Sequence, residues 1–268
     1  MFAGIDIGSS STNVVFINSE KEIICYEVIP TGPNHKESAK KAIGSLCEKN
    51  NLLESDITYI VSTGYGRKNV NETAKDVTEI SCHAKGAIHF YPQVRTVLDI
   101  GGQDSKVIKV NEHGRADDFI MNEKCAAGTG RFLEAMARIL DVRVDQMGKL
   151  SAHATKEIKL SSVCTVFAES EVISKIAEEN TIADIINGIH DSVCCRTVAL
   201  LEKAKIDPLV VMTGGVAKNA GLVCKLEKYI GQKIYVPHEP QIVGALGAAL
   251  IALEEYEKKG GSIGSETK

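Results

Sequence analysis

The feature that most constrains this chain is a repeat. Ile5-Asp6-Ile7-Gly8-Ser9-Ser10-Ser11-Thr12-Asn13-Val14-Val15 lies over Leu98-Asp99-Ile100-Gly101-Gly102-Gln103-Asp104-Ser105-Lys106-Val107-Ile108 at a single offset of 93. Asp falls on Asp, Gly on Gly, and the flanking apolar positions coincide. Each copy then reaches a polar turn (Asn18 to Lys21, Asn111 to Gly114) and resumes an apolar stretch, so each predicts strand, tight turn, strand, turn, strand. The expected fold is two α/β lobes, each a mixed sheet flanked by helices.

The residue types carry a chemistry. Gly and Ser at the first turn remove side-chain bulk, so backbone N–H groups can approach phosphate oxygens. Asp at the strand end can hold magnesium through water or orient an attacking water. A single Asp-Ile-Gly is most often only a turn. Two copies in register, facing each other across a cleft, can hold a nucleotide triphosphate from both sides.

Two further Gly-rich pieces follow. Leu209 to Met212 has a buried-strand pattern, and Thr213-Gly214-Gly215-Val216-Ala217-Lys218-Asn219 opens a helix, where a Gly pair lets a base and ribose lie against the backbone. Gly244-Ala245-Leu246-Gly247-Ala248-Ala249-Leu250 predicts a helix with small residues on one face, suited to close packing and to a hinge between lobes. Neither a Rossmann G-x-G-x-x-G nor a Walker A motif is present. The order of pieces resembles the actin, hexokinase and Hsp70 ATPase superfamily. It divides the chain into residues 1–93 plus 244–268 and residues 94–243.

Composition narrows the partners. At 268 residues the chain can bury a sizeable core, and 44% hydrophobic with 25% charged residues is ordinary for a globular protein. A net charge of −4 without Lys/Arg runs argues against nucleic acid and anionic membrane. The longest apolar run, Val243 to Leu253, is too short to span a bilayer, and Phe2 to Ile7 reads as a strand rather than a signal peptide. A cytoplasmic protein is expected.

Eight cysteines form no C-x-x-C pair, and in the cytosol most should be reduced, buried thiols. Two have a different setting. Cys125 precedes a helical pattern from Arg131 to Leu140, and Cys164 stands just ahead of another. Helix N-termini favour thiolates. Spacing alone leaves two readings open: structural thiols, or half of the four ligands a [4Fe–4S] cluster needs, completed by a two-fold dimer.

The strings D-I-G-G-Q-D-S-K, N-E-K-C-A-A-G-T-G-R-F-L-E, C-T-V-F-A-E-S-E-V-I-S and V-M-T-G-G-V-A-K-N, with S-T-G-Y-G-R from Ser62 and E-I-S-C-H-A from Glu79, resemble one family. It is the activator (archerase) component of 2-hydroxyacyl-CoA dehydratases, of the BadF/BadG/BcrA/BcrD type, which includes the ATP-dependent reductases of double-cubane cluster proteins. The resemblance runs from about Phe2 to Leu253. It implies a homodimeric ATPase with one [4Fe–4S] cluster per dimer, held by Cys125 and Cys164 of each subunit. Ferredoxin or flavodoxin would supply the electron. A dehydratase or double-cubane protein would accept it, driven by ATP hydrolysis to ADP.

On that resemblance Asp6 and Asp99 are expected at Mg2+ and the attacking water, with Gln103 and Asp104 near the terminal phosphate. Gly8, Ser9, Ser10, Ser11, Thr12, Gly101 and Gly102 are expected around the phosphates, and Gly214, Gly215, Val216, Lys218 and Asn219 along the adenosine. Several relatives carry Lys where Asn13 stands, so the first phosphate contact can differ here. A small-molecule kinase of the same fold is the main competitor, and an actin-like scaffold the other. His83 reads as a core or helix-face histidine, with the nucleotide cleft or dimer contact as the alternative. Tyr65 and Arg67 are open between surface loop and partner contact. Cys194 and Cys195 are expected as buried thiols, and the tail from Lys258 as disordered.

Overall fold

The computed structural model describes residues 1–70, 73–123, 125–161 and 164–261. Lys124 of the family strings, Ser162 and Val163 just ahead of Cys164, and residues 262–268 of the tail expected to be disordered from Lys258 lie outside the described residues, while Lys258 itself is helical. The chain divides into two compact units, Met1–Gln93 with Val110–Ala116 and the chain from Gln241, and Val94–Lys109 with Asp117–Pro240.

The first unit carries β1 (Phe2–Ile7), β2 (Ser11–Ile17), β3 (Ile23–Pro30), α1 (His35–Asn50), β4 (Tyr59–Thr63), β5 (Lys75–Asp76) and α2 (Glu79–Phe90). The second has β6 (Thr96–Ile100), β7 (Ser105–Val110), β8 (Ala116–Asn122), α3 (Gly130–Ile139), α4 (Met147–Ser151), α5 (Thr165–Ala177), α6 (Ile182–Ala204), β9 (Val210–Thr213), α7 (Ala220–Ile230) and β10 (Ile234–Tyr235). The last helix, α8 (Val243–Lys258), returns to the first unit. The sheets run β3-β2-β1-β4-β5 and β8-β7-β6-β9-β10. In both, the first strand pairs antiparallel with the second and parallel with the fourth. The duplication visible in one hairpin therefore spans the whole five-stranded sheet.

Alternation along each strand sorts the side chains onto two faces. In the first unit Ala3, Ile5, Ile7, Val14 and Phe16 pack on Ala39, Ala42, Ile43 and Leu46 of α1. Val15, Ile17, Tyr59 and Val61 pack on the opposite face against Ala245, Leu246, Ala248 and Ala249 of α8. Asp6 falls on this second face. The small residues of α8 bring backbones together: a Cβ on Gly4 would strike Ala245 and Ala249, and one on Gly247 would strike the Cys82 carbonyl of α2. In the second unit Leu98, Ile100, Val107 and Met212 pack on Phe132, Met136, Ile189 and Leu222 of the surrounding helices.

Cys194 and Cys195 lie within α6, Ile182–Ala204. Its adjacent cysteines separate as the 100° helical step requires: Cys194 is in the core, but Cys195 is exposed. The expectation of two buried thiols is therefore corrected for Cys195, whose Sγ lies 3.9 Å from the Tyr229 hydroxyl.

Candidate functional site

The two Asp-Ile-Gly hairpins close with one geometry. Gly8 N–H donates to the Ser11 carbonyl at 2.9 Å, and Gly101 N–H to the Asp104 carbonyl at 3.0 Å. Ser9 and Ser10 form one tip, Gly102 and the exposed Gln103 the other. Thr12 is buried, its hydroxyl 2.8 Å from that of Thr31.

Around the aspartates the side chains differ. Asp99 is 2% exposed and lies between Lys106 and Thr213 in the sheet register. Lys106 Nζ donates to Asp99 Oδ2 at 3.0 Å and pairs with Asp104 Oδ2 at 3.0 Å, while Thr213 Oγ1 donates to Asp99 Oδ1 at 2.9 Å. Lys106 is itself 2% exposed, so the second hairpin holds a buried lysine between two carboxylates. Asp6, also buried, lies between Asn13 and Thr63 in the matching register. Asn13 Oδ1 and Thr63 Oγ1 are buried and make no hydrogen bond. Beyond the sheet, burial pushes the Cys82 thiol beside Thr63 up to about 12.

Each central parallel strand ends in the same dipeptide. Thr63-Gly64 and Thr213-Gly214 turn with glycine φ of 82° and 84°, in the left-handed region. The Thr-Gly-Gly turn thus has a counterpart inside Ser62-Thr63-Gly64-Tyr65-Gly66-Arg67, which the hairpin offset of 93 does not reveal. Arg67 braces that counterpart through a 3.1 Å bond from Nη1 to the Gly64 carbonyl, and Tyr65 is 50% exposed.

After Gly214 a 3-10 turn, Gly215–Lys218, leads into α7. Asn219 caps α7 by accepting from Leu222 N–H at 3.0 Å, and its Nδ2 lies 3.0 Å from Nε2 of the buried His190. Burial, with Lys225 nearby, pushes His190 down to about 4, so it stays neutral. Lys218 pairs with Glu239 at 2.8 Å, and beside it a cavity of about 460 Å³ is bordered by Ala217, Val223, Cys224, Pro237 and His238.

The two singled-out cysteines belong to the second unit. Cys164 is the N-cap of α5, is exposed, and makes no side-chain capping bond. Cys125 is half-buried, five residues ahead of α3, and borders a cavity of about 340 Å³ with Ser105, Asn122, Arg196 and Lys203. Neither is in a disulfide. Helices α3 and α5 pack on each other. The start of α3 is tied to the second hairpin, because Gly130 and Arg131 N–H donate to the carbonyls of Gly101 and Gly102 at 2.9 and 2.8 Å. Beyond Cys164, α5 exposes Val166, Phe167, Ile173 and Ile176.

Residues 3–252 match the profile of the BadF/BadG/BcrA/BcrD ATPase family. The chain belongs to that family. It is 45% identical to the 2-hydroxyisocaproyl-CoA dehydratase activator of Clostridioides difficile over 95% of this chain and 96% of the relative. It is 44% identical to the (R)-2-hydroxyglutaryl-CoA dehydratase activating ATPase of Acidaminococcus fermentans, over 95% and 98%. The structure of the Clostridium difficile activator with bound ADPNP superposes with a TM-score of 0.94, covering 100% of both chains at 42% identity. The actin-like fold and the ATPase class are thereby shown. Lys106 and Thr213, which hold the Asp99 carboxylate, are the neighbours of the hairpin that motif reading passed over. A lysine next to the hairpin in the largely apolar strand Ser105–Val110 was the available signal for the first. No helix among the described residues is long and apolar enough to cross a membrane.

Proposed function

We propose that this chain hydrolyses ATP in the cytoplasm to drive a low-potential electron from a [4Fe–4S] cluster shared by two copies into a partner iron–sulfur enzyme. The acceptor class is a 2-hydroxyacyl-CoA dehydratase or a double-cubane cluster protein, with ferredoxin or flavodoxin as donor. The observation that carries this is the pair Cys125 and Cys164, each leading a helix in a chain 45% identical to a dehydratase activator.

The thiols fit half a cluster. A [4Fe–4S] cluster takes four cysteine ligands. Cys125 and Cys164 supply two of them, and on this reading the same pair in a second copy about a two-fold axis supplies the other two. Phe167 is 69% exposed and Val166 66%, an apolar surface beside Cys164 suited to that second copy. Bound there, the cluster supplies reversible one-electron storage at low potential.

Nucleotide handling falls to the hairpins. Backbone N–H groups from Gly8 to Thr12 and at Gly101 and Gly102 take phosphate oxygens, and Gln103 and Asp104 lie by the terminal phosphate. Asp6 and Asp99 hold Mg2+ and orient water, and Gly214, Gly215, Val216, Lys218 and Asn219 line the adenosine. Because the Gly101 and Gly102 carbonyls bond the start of α3, a shift of that hairpin is passed to the Cys125 segment. The test is iron, sulfide and EPR on anaerobically purified protein, with Cys125→Ser and Cys164→Ser alongside. About one reducible cluster per two chains, lost in both variants, is expected. A metal-free protein that still activates a dehydratase overturns the proposal.

A further inference from the structure

His83 is a buried histidine that neither the hairpins nor the Thr-Gly turns account for. We infer that His83 is the positioning residue of the Asp6 carboxylate, doing from a helix what Lys106 does for Asp99 from the neighbouring strand. This deepens the assignment of Asp6 above and rests on it.

The argument begins in the sheet. Asp99 is held on both sides by its register partners, Lys106 and Thr213. The corresponding partners of Asp6 are Asn13 and Thr63, and their buried Oδ1 and Oγ1 make no hydrogen bond. The first hairpin therefore has no ammonium at the place of Lys106, and the hydroxyl at the place of Thr213 makes no bond. Asp6 points away from α1 towards the face covered by α2 and α8.

On that face stands His83, 4% exposed. A Cβ built on Gly244 would lie 2.5 Å from Asp6 Oδ2 and 2.9 Å from His83 Nε2. Those two atoms are thus no more than about 5.4 Å apart, and only a residue without a side chain leaves the space between them open. The ring is also fixed by its helix. Gly86 of α2 meets the Val243 backbone and Gly247 of α8 meets the Cys82 carbonyl, so the two helices are locked at backbone contact on either side of His83. An imidazole Nε2–H donated to Asp6 orients the carboxylate without the permanent charge of an ammonium. That leaves Asp6 its negative charge for a cation or an attacking water.

The test is steady-state ATP hydrolysis by the anaerobically purified holo-protein. His83→Gln keeps a donor at the Nε2 position and should retain kcat within about threefold, while the shorter His83→Asn should lose about tenfold or more with KM for ATP little changed. His83→Leu should fall further, and adding Asn13→Lys, which restores the lysine of the other hairpin, should recover about tenfold. Equal kcat in His83→Gln and His83→Asn, whether full or lost, overturns the inference even where His83→Leu does not fold. Asp6→Asn separates the two levels. Full turnover in Asp6→Asn removes the role of Asp6 and this inference together. An inactive Asp6→Asn beside fully active His83→Asn removes only the positioning role.

Discussion

The two hairpins share a backbone and differ in how they treat one carboxylate. Asp99 and Asp104 with Lys106 leave one negative charge, and Asp6 with the equivalent Ser11 and Asn13 also leaves one. The second half reaches that charge through a closed network in which both Asp99 oxygens are engaged. The first half reaches it with neutral neighbours. Ser10 Oγ, Asn13 Oδ1 and Thr63 Oγ1 account for three of the four buried side-chain polar atoms without a partner among the described residues. Buried polar atoms are normally paired, so an unpaired set marks a place that a ligand completes. Duplication kept the turn and let the halves diverge into a rigid one and one that depends on what it binds.

The sharpest way to break this contrast is Lys106→Met. Removing the ammonium leaves two buried carboxylates facing each other, at a cost of about 3–5 kcal/mol in urea unfolding. Asn13→Leu, the equivalent change in the first hairpin, removes no charge and an amide oxygen that makes no hydrogen bond, and should cost far less. Equal losses would mean that the lysine contributes no more than its volume.

The buried histidines make a second contrast, one per half. His83 approaches a carboxylate, whereas His190 approaches the Asn219 amide and is pushed down to about 4 by burial. Its unfolded value is near 6.5, so in acid the unfolded chain takes up this proton first. Stability from this group is complete above about pH 6.5 and is lost as pH falls towards 4, by up to roughly 3 kcal/mol. Urea midpoints at several pH values should show that slope flattened in His190→Gln. An unchanged acid limb would place the proton uptake elsewhere.

What the sequence made legible were local constraints. Asp-Ile-Gly permits few turns, so both hairpins were readable, and Cys164 could be placed at a helix start because the apolar pattern begins at once after it. The Thr63-Gly64 counterpart of Thr213-Gly214 was not, because it sits at an offset of 150 rather than 93. The second half inserts α3 to α6 where the first has only α1 between its hairpin and that strand. His83 was readable as a core histidine, and it is buried, but its approach to Asp6 was not, because Gly244 of α8, which leaves the space between them, arrives from the far end of the chain. Cys195 was misjudged because nothing near it in sequence says which side of α6 is covered.

The finest test of the comparison uses one substitution twice. Thr213→Val deletes the hydroxyl that donates to the Asp99 carboxylate at 2.9 Å in a buried site. A hydrogen bond to a charged group is worth about 1.5–3 kcal/mol, and the acceptor left behind cannot reach water. Thr63→Val deletes a buried hydroxyl that makes no bond, and replacing such a group by a methyl of similar shape should be nearly neutral or slightly stabilising. Urea unfolding of the two variants without nucleotide should therefore separate by about 2 kcal/mol. If the first hairpin is completed by a bound cation and phosphate, adding Mg-ATP should reverse part of that difference. The parent then gains a partner for Thr63 that Thr63→Val cannot offer, while the Thr213 pair is already closed.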